Sequence, residues 1–311
     1  MEKINVIFMG TPEFALPILQ ELIDNVSILL VVTQPDKKVG RKQEVIFSPI
    51  KNLALKHNIE VFQPTSIKED FLPVTDKNAD LIVTCAYGQI VPKEILANPR
   101  LGCINVHASL LPKLRGGAPI HKALIEGYSK TGVTLIYMDS KMDSGDIIAT
   151  KEYKIKAADN VGTLHNELSL LGSQLLKEEL PKIVSGTNNR TKQNESEVTY
   201  AYNIKREEEI LDFNEKSINI FNKVRGLNPW PLSHLLLDNE EIKVIECTYE
   251  LKSHNEEPSV IIDVNKNQLG ISSLDGIIYL TKIKPFGKKE MNIKDYLNGK
   301  KQEDLIGKRV N

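Results

Sequence analysis

The chain has 311 residues, with 40 Lys and Arg against 41 Asp and Glu and a formal net charge of −1. That length exceeds a single hydrophobic core and predicts two domains, while the near-neutral balance excludes a globally basic or acidic protein and leaves any nucleic-acid contact to local charge patterning. The three cysteines, Cys85, Cys103 and Cys247, lie far apart with no C-x-x-C pair, which excludes a disulfide framework and a zinc site of that spacing and fits a reducing cytosol.

The opening residues, MEKINVIFMG, read as a strand and lack the charged, apolar, small-residue order of a signal peptide. No apolar run reaches membrane-spanning length, so a cytoplasmic protein is expected. Residues 4–9 form the first strand; Thr11 is a candidate N-cap and Pro12 the first position of a helix that includes 14–23. Residues 26–33 give a second strand, and 34–47, QPDKKVGRKQEVIF, a long polar loop before Ser48 and Pro49 restart a helix to about His57. Strands follow at 60–62, 80–86 and 102–106, then at 131–138 and 147–155. Leu164, Leu168, Leu171, Leu175, Leu176 and Leu180 fall at helical spacing within a closing helix over 160–185. Alternating strands and helices predict an α/β, Rossmann-like, mostly parallel sheet domain over residues 1–189. The lone Gly10 after the first strand is not a G-x-G-x-x-G turn, and no acidic residue ends the second strand, so a dinucleotide ligand is rejected.

The polar stretch TNNRTKQNESE has no apolar period and predicts a linker over 190–206. Beyond it, residues 207–311 contain a helical segment at 218–225, the motif GLNPWP, and short β-rich runs at 235–237, 242–249, 260–264, 270–273 and 277–283. Strands of that length and spacing predict a small β-barrel of OB-like type.

The most informative stretch is 102–127, GCINVHASLLPKLRGGAPIHKALIEG. An apolar strand ends in Asn105 and His107, and the prolines and the Gly116-Gly117 pair then force a loop before a helix restarts near Pro119. Two residues apart on a strand, Asn105 and His107 share a side. At the carboxyl end of a parallel strand they occupy the usual ligand position. An amide and an imidazole converging there can donate two hydrogen bonds to a carbonyl oxygen that is becoming an oxyanion, the requirement of acyl transfer. A lone His at a strand end is more often structural, and the spacing alone does not decide. A carboxylate is expected as third member, to hold the imidazole or its charge; the turn DSKMDSGD offers Asp139, Asp143 and Asp146.

This stretch resembles the signature of the 10-formyltetrahydrofolate-dependent formyltransferases, an N-x-H-x-S-L-L-P run followed by a Gly-rich turn and an A-P helix. Here it reads Asn105, His107, Ser109, Leu110, Leu111, Pro112. The resemblance implies 10-formyltetrahydrofolate as co-substrate, no metal, and catalysis by Asn105, His107 and Asp143, with Asp139 and Asp146 left to turn chemistry. It also implies that Tyr87, Gly88, Gln89, Ile90 and Val91 face the pterin and that Ser109, Leu110, Leu111 and Pro112 form a second folate contact. Leu114 stands where members of the family often carry an aromatic residue.

The acceptor has to be read elsewhere. Gln34-Pro35-Asp36 and Gly40-Arg41 resemble the inserted loop of those members that formylate a charged initiator tRNA for translation initiation. From Asp36 to Lys56 six bases, Lys37, Lys38, Arg41, Lys42, Lys51 and Lys56, face two acids, a local +4 suited to phosphates. Lys37, Lys38, Arg41 and Lys42 are the tRNA-binding candidates. Residues 266–311 carry ten Lys and Arg against five Asp and Glu, including Lys282, Lys284, Lys288, Lys289, Lys300 and Lys301. On charge alone that run is an ordinary solvated face. With the barrel and the family's Asn228-Pro229-Trp230-Pro231 motif it becomes a tRNA surface. A monomer with charged tRNA and folate as partners is expected. The competing readings are a formyltransferase acting on an amino-sugar nucleotide, which needs no basic loop, and a non-catalytic folate- or RNA-binding relative.

Overall fold

The first strand, β1 (Asn5–Gly10), is buried at every residue but its first, as expected of a continuous apolar run in a sheet covered on both faces. It belongs to a computed structural model that describes residues 4–40 and 43–311. There follow α1 (Leu16–Asn25), β2 (Ser27–Val32), β3 (Lys37–Val39), β4 (Glu44–Ile46), α2 (Pro49–Lys56), β5 (Val61–Phe62), α3 (Leu72–Thr75), β6 (Leu81–Cys85), α4 (Lys93–Leu96), β7 (Cys103–His107), α5 (Pro119–Ile125), β8 (Lys130–Tyr137), β9 (Ile147–Lys154) and α6 (Val161–Ser185). The sheet order is β5-β2-β1-β6-β7-β8-β9. Strands from β5 to β7 run parallel, and β8 and β9 add antiparallel. This is the expected Rossmann-like, mostly parallel architecture.

After β2 the chain returns across β1 to lay down β6 and β7 on its other side, so the order switches between β1 and β6. Ligand crevices form at such a point, outside the carboxyl ends of the strands. Gly10 ends β1 there, and a Cβ on it would lie 2.8 Å from the Cys85 carbonyl oxygen. One face of the sheet packs Ile7, Met9, Leu30, Val32 and Ile82 against Ile67, Val74 and Ile95. On the other, Gly172 of α6 admits β7 so closely that a Cβ would stand 2.9 Å from Val106 Cγ1. These contacts hold the end of β7 on two rigid layers.

Three local expectations are corrected. Thr11 does not cap a helix: residues 13–15 first make a tight helical turn headed by Pro12, and the Thr11 hydroxyl donates to the Tyr87 carbonyl at 3.1 Å. The loop 34–47 contains the antiparallel hairpin β3–β4, whose strands are three residues long, with every residue of β4 exposed, too short to leave a hydropathy period. In the stretch expected as a linker, Thr191 pairs with Ile147 and Tyr200 with Arg115. There the Ala201 N–H donates to the Arg115 carbonyl at 2.7 Å; backbone bonds to a loop order a polar stretch without any apolar pattern to announce it.

The chain forms two compact units, Met1–Pro119, Lys130–Lys154 and His165–Tyr202 in one, and Ile120–Ser129, Ile155–Leu164 and Asn203–Asn311 in the other. The second contains α7 (Ser217–Leu227), β10 (Ser233–Leu237), β11 (Glu240–Leu251), β12 (Ile261–Val264), β13 (Leu269–Ser272), β14 (Gly276–Pro285), β15 (Met291–Asn292) and α8 (Ile293–Leu297). Its antiparallel order is β10-β11-β14-β13-β12, with β15 on β14. Val310 bridges Leu237 of β10, and Arg309 bridges Val260 beside β12. The last residues therefore join the two edge strands and close the sheet into the small barrel, which removes exposed strand edges. Leu235, Val244, Ile261, Ile271, Ile278 and Ile283 fill it.

Cys85, Cys103 and Cys247 are free and buried, and burial pushes the Cys103 and Cys247 thiols up to about 12 and the Cys85 thiol up as well. Because only the thiolate attacks, the native protein near about pH 8 is expected to show no fast thiol toward Ellman's reagent and to release all three on denaturation. A fast-reacting thiol in the folded protein would contradict this burial.

Candidate active site

β7 delivers its last residues to the crevice with Thr84 of β6 opposite Asn105 and Thr134 of β8 opposite His107. The buried Thr84 hydroxyl donates to Asn105 Oδ1 at 2.8 Å. That contact leaves the Asn105 Nδ2 hydrogens as the amide's outward donors. His107 is buried, at 6% exposure, so its ring cannot satisfy itself with bulk water. Its Nε2 lies 3.0 Å from the Leu114 carbonyl oxygen, and since a carbonyl only accepts, Nε2 carries a proton here. Its Nδ1 lies 3.7 Å from Asp143 Oδ2, beyond hydrogen-bond length but within reach of the charge. The structure thus brings one carboxylate, one imidazole and one amide to the end of a single strand.

Asp143 itself sits at φ 50°, and Leu114 at φ 60°. Non-glycine residues in that left-handed region are held by their surroundings at a cost on the order of 1 kcal/mol. The surroundings are visible. Asp143 Oδ2 accepts the Gly116 N–H at 2.9 Å, and Gln193 Nε2 donates to the carbonyls of both Asp143 and Gly145 at 2.8 Å. The same Gln193 accepts from Arg115 Nε at 3.0 Å and Nη2 at 2.8 Å through its Oε1. Arg115 also pairs with Glu195 at 2.8 Å, and its guanidinium holds that carboxyl below the usual range. Sequence reading missed Thr84, Arg115 and Gln193. Thr84 and Gln193 act from other parts of the chain, and Arg115, although inside the stretch, takes its part only through Gln193 and Glu195 far along the sequence, so the spacing of the motif gives no sign of them.

The other two acids of the turn have local roles. Asp139 accepts the Lys141 N–H and the Ser144 hydroxyl, and Asp146 pairs with Arg190 at 2.7 Å. Gly145 fits where a Cβ would lie 1.7 Å from the Tyr137 carbonyl oxygen. The turn is therefore shaped by Asp139, Gly145 and Asp146 and presents Asp143.

Of the folate candidates, Ser109 is fully buried and its hydroxyl donates to the Lys113 carbonyl at 2.7 Å. The Leu111 N–H donates to Thr134 Oγ1, which donates in turn to the Ser109 carbonyl. Leu110 and Pro112 are half-buried, and Leu111 is buried. In the 87–91 loop, Gly88 takes φ 90°. Gln89 accepts the Ile67 N–H at 2.8 Å, and Gln34 donates to the Tyr87 carbonyl at 3.0 Å. Val91 is buried, Ile90 is 87% exposed, and Tyr87 Oη is buried with no hydrogen-bond partner among the described residues. Ser109 and Gln89 thus shape their loops, while Ile90 and the Tyr87 hydroxyl remain uncommitted.

Of the tRNA candidates, Lys37 and Lys38 are exposed on β3, and Arg41 and Lys42 lie outside the described residues. Lys51 is engaged: it pairs with Asp36 at 2.5 Å and lies over the Phe47 ring. Val45, Ile46 and Phe47 are exposed beside these bases. In the barrel, Lys284, Lys288 and Lys289 are exposed around Phe286, itself 80% exposed, while Lys282 pairs with Glu290.

A family model described as formyl transferase matches residues 2–180, and one described as formyl transferase, C-terminal domain, matches 203–301. A methionyl-tRNA formyltransferase of Macrococcus caseolyticus is 46% identical over 98% of both chains. One of Staphylococcus epidermidis is 45% identical over 97% of this chain and 98% of its own, and one of Staphylococcus aureus 42% over 98% and 99%. Among solved structures, the sugar 3N-formyl transferase WlaRD, crystallised with dTDP and 5-N-formyl-THF, superposes with a TM-score of 0.65 at 20% identity, over 93% of this chain and all of that one. An N-formyltransferase of Helicobacter canadensis, bound to folinic acid and dTDP-3-aminofucose, gives 0.66 at 19% identity, over 92% of this chain and all of that one. At such identities these structures speak for the fold alone.

Proposed function

From a chain that belongs to the formyl transferase family, we infer an enzyme that moves the formyl group of 10-formyltetrahydrofolate onto the amino group of methionyl initiator tRNA, with Asn105, His107 and Asp143 carrying the reaction. The observation that supports this assignment of roles is the cluster at the end of β7, where His107 lies 3.7 Å from Asp143 and Asn105 is held by Thr84. Proteins similar to this chain over nearly the full length are named methionyl-tRNA formyltransferase, which supports the acceptor.

Attack of the amine on the formyl carbon places negative charge on the former carbonyl oxygen, and the chain's residues answer that charge. Asn105 donates from Nδ2. His107 donates from Nε2, exchanging the Leu114 carbonyl for a charged and therefore stronger acceptor. Asp143 faces the other edge of the ring, 3.7 Å from Nδ1, and takes the proton leaving the amine directly or through water. The nitrogen released from the formyl carbon takes up that proton as the C–N bond breaks and leaves as the tetrahydrofolate amine, and no covalent enzyme intermediate is needed. Residues 87–91 and 109–112 form the folate cleft, with the Tyr87 hydroxyl as its uncommitted polar group. Catalysis belongs to residues 1–189.

The acceptor is held by Arg41, Lys42, Lys37 and Lys38 on phosphates, with residues 207–311 as a second tRNA surface, in a cytoplasmic monomer. Neutralised phosphates release counterions, so tRNA affinity is expected to fall steeply with salt, and Arg41→Ala to reduce the log-log slope by about one unit while leaving folate affinity alone. Titration of both proteins with initiator tRNA at several salt concentrations, beside a formylation assay, tests this. Identical curves would remove Arg41 from the tRNA site. Formylation of an amino-sugar nucleotide instead of charged tRNA would overturn the acceptor.

A further inference from the structure

We propose that Gln193 is a positioning residue for catalysis: its one amide sets the distance between Asp143 and His107. This rests on the catalytic reading of that pair. Gln193 lies 50 residues from Asp143 in a stretch whose sequence looks like a spacer, yet its side chain is used at both ends. Nε2 donates to two carbonyls in the turn that carries Asp143, those of Asp143 and Gly145. Oε1 accepts two hydrogen bonds from the buried Arg115 guanidinium. An amide offers two donor hydrogens and one acceptor oxygen with two lone pairs, so all four capacities are filled. Such an amide has one orientation, because turning it over would set its oxygen against two carbonyl oxygens and its hydrogens against a guanidinium.

The two ends belong to the two walls of the site. Arg115 is followed by Gly116, whose N–H holds Asp143 Oδ2, and the Leu114 carbonyl before it holds His107 Nε2. The turn at the other end carries the carboxylate that faces His107 Nδ1. Gln193 therefore clamps the wall that holds the imidazole to the wall that holds the acid. Asp143, at φ 50°, relies on such a clamp, since its backbone does not favour that conformation by itself. Glu195 on Arg115 and the Ala201 N–H on the Arg115 carbonyl fix the Arg115 side; the Gly116 N–H reaches the Asp143 carboxylate itself, and Gln193 holds the backbone of the turn that carries it.

A displacement of about 1 Å at a reacting group costs up to about a hundredfold in rate. Gln193→Ala is thus expected to lower kcat for formylation of charged initiator tRNA by about tenfold or more, with KM for folate and tRNA within about twofold. Gln193→Glu keeps an acceptor for Arg115 but places an oxygen against the Asp143 and Gly145 carbonyls; it is expected to lose kcat similarly, and its thermal melt reports whether the fold survives. The deciding measurement is a cycle with Asp143→Asn under single-turnover conditions. If Gln193 acts through Asp143, Gln193→Ala costs less than about twofold once the carboxylate is gone. Wild-type kcat in both Gln193 variants while Asp143→Asn is inactive would overturn the proposal and leave the catalytic reading standing. An equal loss in both backgrounds would overturn it as well, by assigning Gln193 a purely structural role. Near-normal turnover in Asp143→Asn would instead bring down the catalytic reading and the proposal with it.

Discussion

Asn105→Ala or His107→Ala is expected to lower kcat for formyl transfer about a hundredfold or more while leaving folate binding largely intact. The reason is where the charge appears. The formyl oxygen of bound folate is a neutral acceptor, and only the tetrahedral species carries the charge that the Asn105 amide and the His107 imidazole are placed to meet. An interaction made only in the transition state lowers kcat and kcat/KM together when it is removed. The two sites fail differently in structural terms. Asn105→Ala strips the Thr84 hydroxyl of its 2.8 Å partner, but the Ile104 carbonyl at 3.2 Å remains for it, so the fold is expected to hold. His107→Ala leaves the Leu114 carbonyl without its donor and opens space in a buried site, a loss on the order of 1–3 kcal/mol in stability. Steady-state formylation, folate binding by fluorescence and thermal melts on both variants separate these effects. Near-normal turnover in both would sink the oxyanion role.

Asp143→Asn is expected to abolish most activity, because it preserves shape while removing the charge that faces His107 Nδ1 at 3.7 Å. The Gly116 N–H, at 2.9 Å, keeps an acceptor if the amide oxygen takes the place of Oδ2, so the loop is expected to survive. The neighbouring acids provide the control. Asp139→Asn weakens the turn that closes on Lys141 and Ser144, and Asp146→Asn breaks a partly exposed pair with Arg190. Exposed pairs of this kind contribute about 0–1 kcal/mol, and neither change touches the imidazole. Both variants are therefore expected to keep kcat and to differ from wild type mainly in melting temperature. If Asp146→Asn were inactive in a well-folded protein, the catalytic acid would be Asp146.

By itself the sequence determined the alternation of strands and helices, the Rossmann-like sheet, the barrel, and Asn105 and His107 as a pair at a strand end. Each of these is a local property: apolar runs of strand length, turns marked by Gly and Pro, and the period of two along β7 are all written within a few residues. It named Asp143 only through resemblance, since a carboxylate 36 residues from His107 has no spacing rule of its own. The tertiary structure decided what lies between distant segments. It put Thr84 of β6 on the Asn105 amide, the Leu114 carbonyl on His107 Nε2, and Gln193 between Arg115 and the Asp143 turn. It also made a hairpin of a loop and an ordered wall of a presumed linker. Those features rest on hydrogen bonds between polar groups, several of them remote in the chain, and polar residues carry no hydropathy period, so their partners become known only when the fold brings them together.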